Sequence, residues 1–157
     1  MEHEVNRLLE FWEGQPLKKA KEIIQKYGYP QEAMPSRLVW HNNGPWKRTV
    51  IYSEPLQNDF STSLGDFLEQ TIDYTIPMNL CSEVADFDSG VYPNWTNGEV
   101  STISDKEAIS FLALNLLDDI VTRRRDIHDA KMFYAKHAYL YNTQNISSPY
   151  TTYLLFL

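Results

Sequence analysis

One stretch, Ser104 to Arg125 (SDKEAISFLALNLLDDIVTRRR), constrains the fold more than any other part of the chain. Ten of the fourteen residues from Ala108 to Val121 are apolar. Ile109, Leu112, Ala113, Leu116, Leu117 and Ile120 recur at helical spacing and make one wide face. Phe111, Leu114 and Val121 fall on the other side, among Ser110, Asn115, Asp118 and Asp119. A helix apolar over so much of its circumference is covered on most sides, which makes it a core helix. It is shorter than the roughly 20 apolar residues a membrane span needs, and it is polar at mid-length. Ser104 and Glu107 read as a capping box at its start. Asp105 and Glu107 at one end, with Arg123, Arg124 and Arg125 at the other, complement the helix dipole.

The remaining elements are arranged around that helix. Met1 to Glu13 reads as a helix with Val5, Leu8, Leu9 and Trp12 on one stripe, stopped at Gly14. A second helix, Pro16 to Tyr27, starts on proline and ends at Gly28. Arg37–His41 and Trp46–Tyr52 are strand-like, with Asn42-Asn43-Gly44 as the turn between them. Apolar residues are split between the two sides of that second strand, so pattern alone does not assign its buried face. The polar segment Pro55 to Ser63 reads as a loop, and Leu64 to Gln70 as a helical turn or the approach to a strand. Thr71 to Ile76 alternates as a third strand. Asn79 to Phe87 reads as a short helix capped by Asn79, and Gly90 to Ile103 as a second hairpin. Asp126 caps a last helix, Ile127 to about Asn142, on the stripe Ile127, Ala130, Tyr134, His137, Ala138 and Tyr141. The tail, 149–157, is apolar and strand-like.

These elements predict an α+β fold. Two hairpins and a third pairing strand form an antiparallel sheet packed against a buried central helix (about 104–123) and flanking helices. At 157 residues the chain reads as a single domain, 1–157. Its parts are a helical pair at 2–28, a hairpin and sheet at 36–76, a second hairpin at 90–103, core helices at 104–142 and the tail. The net charge of −7 argues against a nucleic-acid partner, because phosphate contacts need a basic face. With one cysteine, Cys81, there is no internal disulfide and no cysteine-rich zinc site. No secretory leader is evident, and the simplest expectation is a reduced, cytoplasmic protein without a membrane partner.

Pro35 to Tyr52, PSRLVWHNNGPWKRTVIY, resembles a small family of uncharacterised bacterial proteins. That resemblance extends to the leading helix GQPLKKAKEIIQKYGYP, to LEQTIDY (Leu68 to Tyr74) and to DKEAISFLALNLLDDIVT (Asp105 to Thr122). It covers most of the chain up to about Tyr139, and it implies no activity, cofactor or catalytic residue.

The densest polar cluster lies on the first hairpin. An anion or small-molecule site there would use Arg48 for a carboxylate or phosphate. Trp46 would supply a stacking face and His41 proton exchange, with Asn43 and Tyr52 beside them. Strand alternation sends Lys47 to the opposite face from Arg48, and a polar hairpin tip is the plainer reading. Asn115, Asp118 and Asp119, with His128 folding back, would be carboxylates towards a cation. The plainer reading is a solvated ridge or a bond to a neighbouring loop. Cys81 near a helix start could act as a nucleophile with His41 or His128, against the default of a buried thiol. No P-loop, GxGxxG, GxSxG or HExxH motif is present, and no cofactor is implied. The expectation is a non-enzymatic binding or protein-interaction module. Two rivals stand beside it: a small-molecule or anion binder or enzyme on the His41, Trp46 and Arg48 hairpin, and a protein that self-associates through its C-terminal strand.

Overall fold

Every residue of the central helix from Ala108 to Ile120 is buried, so the helix is surrounded as its composition requires. The computed structural model describes residues 1–56 and 65–157. Its helices are α1 (Glu2–Leu9), α2 (Gly14–Tyr27), α3 (Cys81–Phe87), α4 (Glu107–Val121) and α5 (Ile127–Gln144). Its strands are β1 (Glu32–Met34), β2 (Arg37–Asn43), β3 (Trp46–Leu56), β4 (Asp66–Asp73), β5 (Val91–Asn94) and β6 (Glu99–Ser104). The six strands make an antiparallel sheet in the order β1-β2-β3-β4-β6-β5, and the fold is α+β. No described helix is long and apolar enough to cross a membrane. The chain divides into two compact units, Met1–Ile72 with Ile103–Asp105, and Asp73–Thr102 with Lys106–Leu157.

The first unit is built on α1, α2 and the strands β1 to β4. Val5, Leu9 and Trp12 come from the first helical stripe and its turn, and Ala20 and Ile23 from α2. They bury against Leu38, Trp40, Ile51, Phe67 and Leu68 of the strands. Two of the buried indoles bond backbone carbonyls, as an apolar ring with one polar edge requires: Trp12 Nε1 donates to the Pro35 carbonyl at 3.2 Å and Trp40 Nε1 to the Gly28 carbonyl at 2.8 Å. In β3 the consecutive residues Thr49, Val50 and Ile51 are all buried, so both faces of the strand are covered at mid-length. That explains the split apolar pattern.

The first hairpin turns one residue later than the sequence predicts. Asn43 pairs with Trp46 inside the ladder, leaving Gly44-Pro45 as a two-residue turn. Asn42 and Gly44 both have positive φ, 52° and 64°. Glycine at the first central position is the pattern of a II′ turn, whose twist suits a hairpin. The third strand also lies earlier than expected. β4 begins at Asp66 and ends at Asp73, held to β3 by the pairs Ile51↔Leu68 and Thr49↔Gln70. The expected polar loop is β3 strand as far as Leu56, and its remainder lies outside the described residues.

The second unit is built on α3, β5, α4, α5 and the tail. Leu80, Val84 and Phe87 are buried on the expected face of α3, but Asn79 does not cap it. It lies inside a 3₁₀ turn, Met78–Leu80, that leads straight into the helix. Ser104 is likewise not the cap of α4: it is the last residue of β6, and the N-cap is Lys106, whose side chain makes no capping bond. Only two residues separate strand from helix, so Ser104 stays in extended backbone at the end of its strand. Asp126 does cap α5, accepting the Asp129 N–H at 2.8 Å.

The tail is not a strand. Ser148 and Pro149 start a 3₁₀ turn, Pro149–Thr151, with a capping box between Ser148 and Thr151. Asn115 of α4 then takes the chain's hydrogen bonds. Its Nδ2 donates to the carbonyls of Tyr150 and Tyr153, and its Oδ1 accepts the Leu155 N–H at 2.8 Å. With its backbone groups engaged by a side chain and Leu154 buried, the segment has no edge to offer another strand.

Candidate functional site

Strand alternation puts Trp46, Arg48 and Tyr52 of β3 on one face of the sheet. His41 and Arg48 are direct cross-strand partners and Tyr52 lies farther along β3 on the same side. Each of the outer two already has a carboxylate beside it, His41 paired with Glu32 and Tyr52 donating to Glu69 at 3.3 Å. The Arg37 guanidinium sits 5.4 Å above the Tyr52 ring. Burial first, then the Glu69 charge, raises the Tyr52 pKa. Trp46 and Asn43 are elsewhere in character. Trp46 is 1% exposed, which leaves no open ring face for stacking. Asn43 is buried, and its Nδ2 donates to Thr49 Oγ1 at 2.9 Å.

A denser arrangement of charge is found at the C-terminal end of α4. The helix closes with a Schellman motif, in which the Arg124 N–H bonds the Asp119 carbonyl at 2.8 Å and the Arg123 N–H bonds the Ile120 carbonyl at 3.2 Å. Arg123 therefore occupies the left-handed position, φ 63°, that glycine usually fills. This reversal swings Arg124 and Arg125 back over the last turn. Asp118 and Asp119 are 6% and 4% exposed, so neither is a solvated ridge. Buried carboxylates need partners, and these have them. Arg124 bonds Asp118 at 2.6 Å and Asp119 at 3.0 Å, and Arg125 bonds Asp119 at 3.0 Å. The Tyr74 hydroxyl donates to Asp118 at 2.7 Å and the Tyr150 hydroxyl to Asp119 at 2.6 Å.

Both tyrosines are held neutral. Burial raises each pKa, and the hydrogen bond to the adjacent carboxylate raises it further. Around them lies an aromatic layer. The Arg125 guanidinium stands 4.2 Å over the Phe133 ring, and Phe133 stacks on His137 at 3.9 Å. Burial, then the charges of Lys136 and Arg125, lowers the His137 pKa. The carboxylates are thus committed to guanidinium and phenol groups, and Asn115 to the tail. No group of three or more His, Cys, Asp or Glu side chains suited to a metal ion forms among the described residues. Cys81 is a half-buried free thiol.

Beside this network α3, α4 and α5 enclose an open cleft of about 500 Å³, lined by Glu83, Ile120, Arg123, Arg125, Asp126, Ile127 and His128. Its volume falls in the range of small-molecule sites. Arg125 and Asp126 are occupied, the first by Asp119 and the second by the α5 N-cap. The side chains of Glu83, Arg123 and His128 have no hydrogen-bond or ion-pair partner among the described residues. Sequence reasoning accounts for Arg123 as a helix terminus and does not single out Glu83. The signal available was the pairing of Asp118-Asp119 with Arg124-Arg125 about one and a half turns later, which leaves Arg123 as the unmatched member of the triplet. Compared with known proteins, the chain matches no family model, no curated protein and no solved structure.

Proposed function

We propose that this protein is a non-enzymatic binding module whose ligand surface is the cleft beside the end of α4. One observation carries the reading. Asp118 and Asp119 are saturated by arginine and tyrosine, whereas the adjoining cleft presents charged side chains with no partner among the described residues. A catalytic acid or base needs a group within reach of substrate and poised to exchange a proton. Asp118 and Asp119, bonded at both oxygens, are not so placed. Exposed Met78, Tyr92, Trp95, Met132, Tyr139 and Leu157 of the same unit extend the reading to a protein partner. The acidic net charge favours partners other than nucleic acid, and the single free thiol of Cys81 suits a reduced, cytoplasmic setting.

The test is amide-resolved NMR of the full chain against a panel of charged metabolites and short peptides. Saturable shifts clustered at Glu83, Arg123 and His128, with the bound compound recovered unchanged, are expected. Conversion of the bound compound to product would remove the non-enzymatic reading. A panel that perturbs no cleft amide would remove the binding reading.

A further inference from the structure

We propose that the cleft binds a small zwitterion with an apolar side chain, of the size class of an amino acid or dipeptide, its carboxylate on Arg123 and its ammonium on Glu83. The assignment rests on the binding-module reading and adds the chemistry of the ligand. The cleft lining holds two arginines and two carboxylates. Arg125 is paired with the Asp119 carboxylate, and Asp126 keeps its charge but gives Oδ1 to the α5 backbone, so each is engaged within the protein. One cation and one carboxylate remain, on walls contributed by different helices: Arg123 just past α4 and Glu83 on α3. A purely anionic ligand would leave Glu83 facing like charge, and a purely cationic one would do the same to Arg123. Like charges brought together in this way disfavour binding, so the complementary ligand carries one charge of each sign.

Two further features fix the class. Ile120, almost fully buried, and Ile127 add apolar surface to the same lining, which suits an aliphatic side chain. The arginine fork matches a carboxylate bidentately, which a lysine would not. The backbone beneath it supplies an independent argument. At φ 63° an L-residue is strained and glycine is not, yet the chain carries an arginine there. Backbone strain of this kind points towards function when the side chain it presents faces a cavity. His128 adds imidazole nitrogens to the same lining.

The experiment is calorimetric titration of the full chain with the dipeptide Leu-Leu, with N-acetyl-leucine as the carboxylate-only probe and leucine amide as the ammonium-only probe. Saturable binding of Leu-Leu is expected, with both single-charge probes at least about tenfold weaker. Arg123→Gly should abolish Leu-Leu binding while raising the urea midpoint, so that loss of binding is separated from loss of fold. Arg123→Asn, which tolerates the same backbone, should lose binding in the same way. Glu83→Gln should weaken Leu-Leu and strengthen N-acetyl-leucine, because the carboxylate that repels the anionic probe is gone. Equal affinity for N-acetyl-leucine and Leu-Leu would overturn the zwitterion and leave a simple anion site within a binding module. Leu-Leu binding unaltered by both Arg123 variants would place the ligand elsewhere and overturn the assignment. If none of the three probes binds, the assignment falls, and if the wider panel also leaves the cleft amides unmoved, the binding-module reading falls with it.

Discussion

Gly44 shows how one atom fixes the first hairpin. Its φ is 64°, and a Cβ added there would lie 2.7 Å from Cε1 of the Tyr27 ring. Gly44→Ala therefore combines left-handed strain with displacement of a ring that packs against the core of the first unit. A loss of about 2 kcal/mol is expected, read as a fall in the urea midpoint. Gly98→Ala has a similar φ of 65° but a nearest contact of 3.6 Å, so it isolates the backbone contribution and should cost visibly less. Equal losses in the two variants would show that the Tyr27 contact contributes nothing. The same residue-level view explains the five hairpin candidates. Strand alternation alone puts Trp46, Arg48 and Tyr52 on one side. His41 and Asn43 depend on register and on where the turn falls, and the one-residue shift carries Asn43 into the ladder and to Thr49.

At the scale of elements, the tail depends on Asn115. This side chain is buried on α4 and makes three hydrogen bonds to the backbone of Tyr150, Tyr153 and Leu155. Asn115→Ala removes all three, and each is worth about 1 kcal/mol net. The better helix propensity of alanine returns about half a kcal/mol. A net loss of about 2–3 kcal/mol is expected, with faster carboxypeptidase trimming from Leu157, because the segment loses its anchor before the helix does. Unchanged trimming would mean that Leu154 and Phe156 hold the tail without Asn115. Helices were the most legible elements: Val5, Leu9, Ile23, Val84 and Phe87 fall on buried stripes at helical spacing, and the density of apolar residues in α4 marks a helix buried all round. Less legible were features decided by a neighbour. Ser104 looks like a cap until β6 is seen to end on it, and TTYLLFL looks like a strand until Asn115 engages its backbone. The charge network was legible only in part: Asp118-Asp119 and Arg124-Arg125 lie five and six residues apart, whereas Tyr74 and Tyr150 reach them only through folding.

Across the whole chain, the balance of 21 acidic against 14 basic residues makes alkaline pH unfavourable in two separable ways. Deprotonating lysines and tyrosines adds negative charge to a chain already at −7, and self-repulsion opposes the compact state. The second effect is specific to the tyrosines bonded to Asp118 and Asp119. Burial and the carboxylates raise the folded pKa of Tyr74 and Tyr150 above the ordinary value of 10.0. Below that value both folded and unfolded chains keep these protons, and the stabilisation is fully present. As pH rises through it the unfolded chain releases protons that the folded chain retains, so stability falls. The urea midpoint should therefore decline between pH 9 and 11 more steeply than general repulsion alone produces. Tyr74→Phe separates the two. At pH 7 it should lose about 1.5 kcal/mol, the net value of a hydrogen bond to a charged group. Between pH 9 and 11 its midpoint should fall less than that of the parent chain, because the most strongly held proton is no longer there to be lost. A variant as steep as the parent would remove Tyr74 from the alkaline loss and leave it to Tyr150 and net charge, and the Tyr74–Asp118 bond would contribute to stability at neutral pH alone.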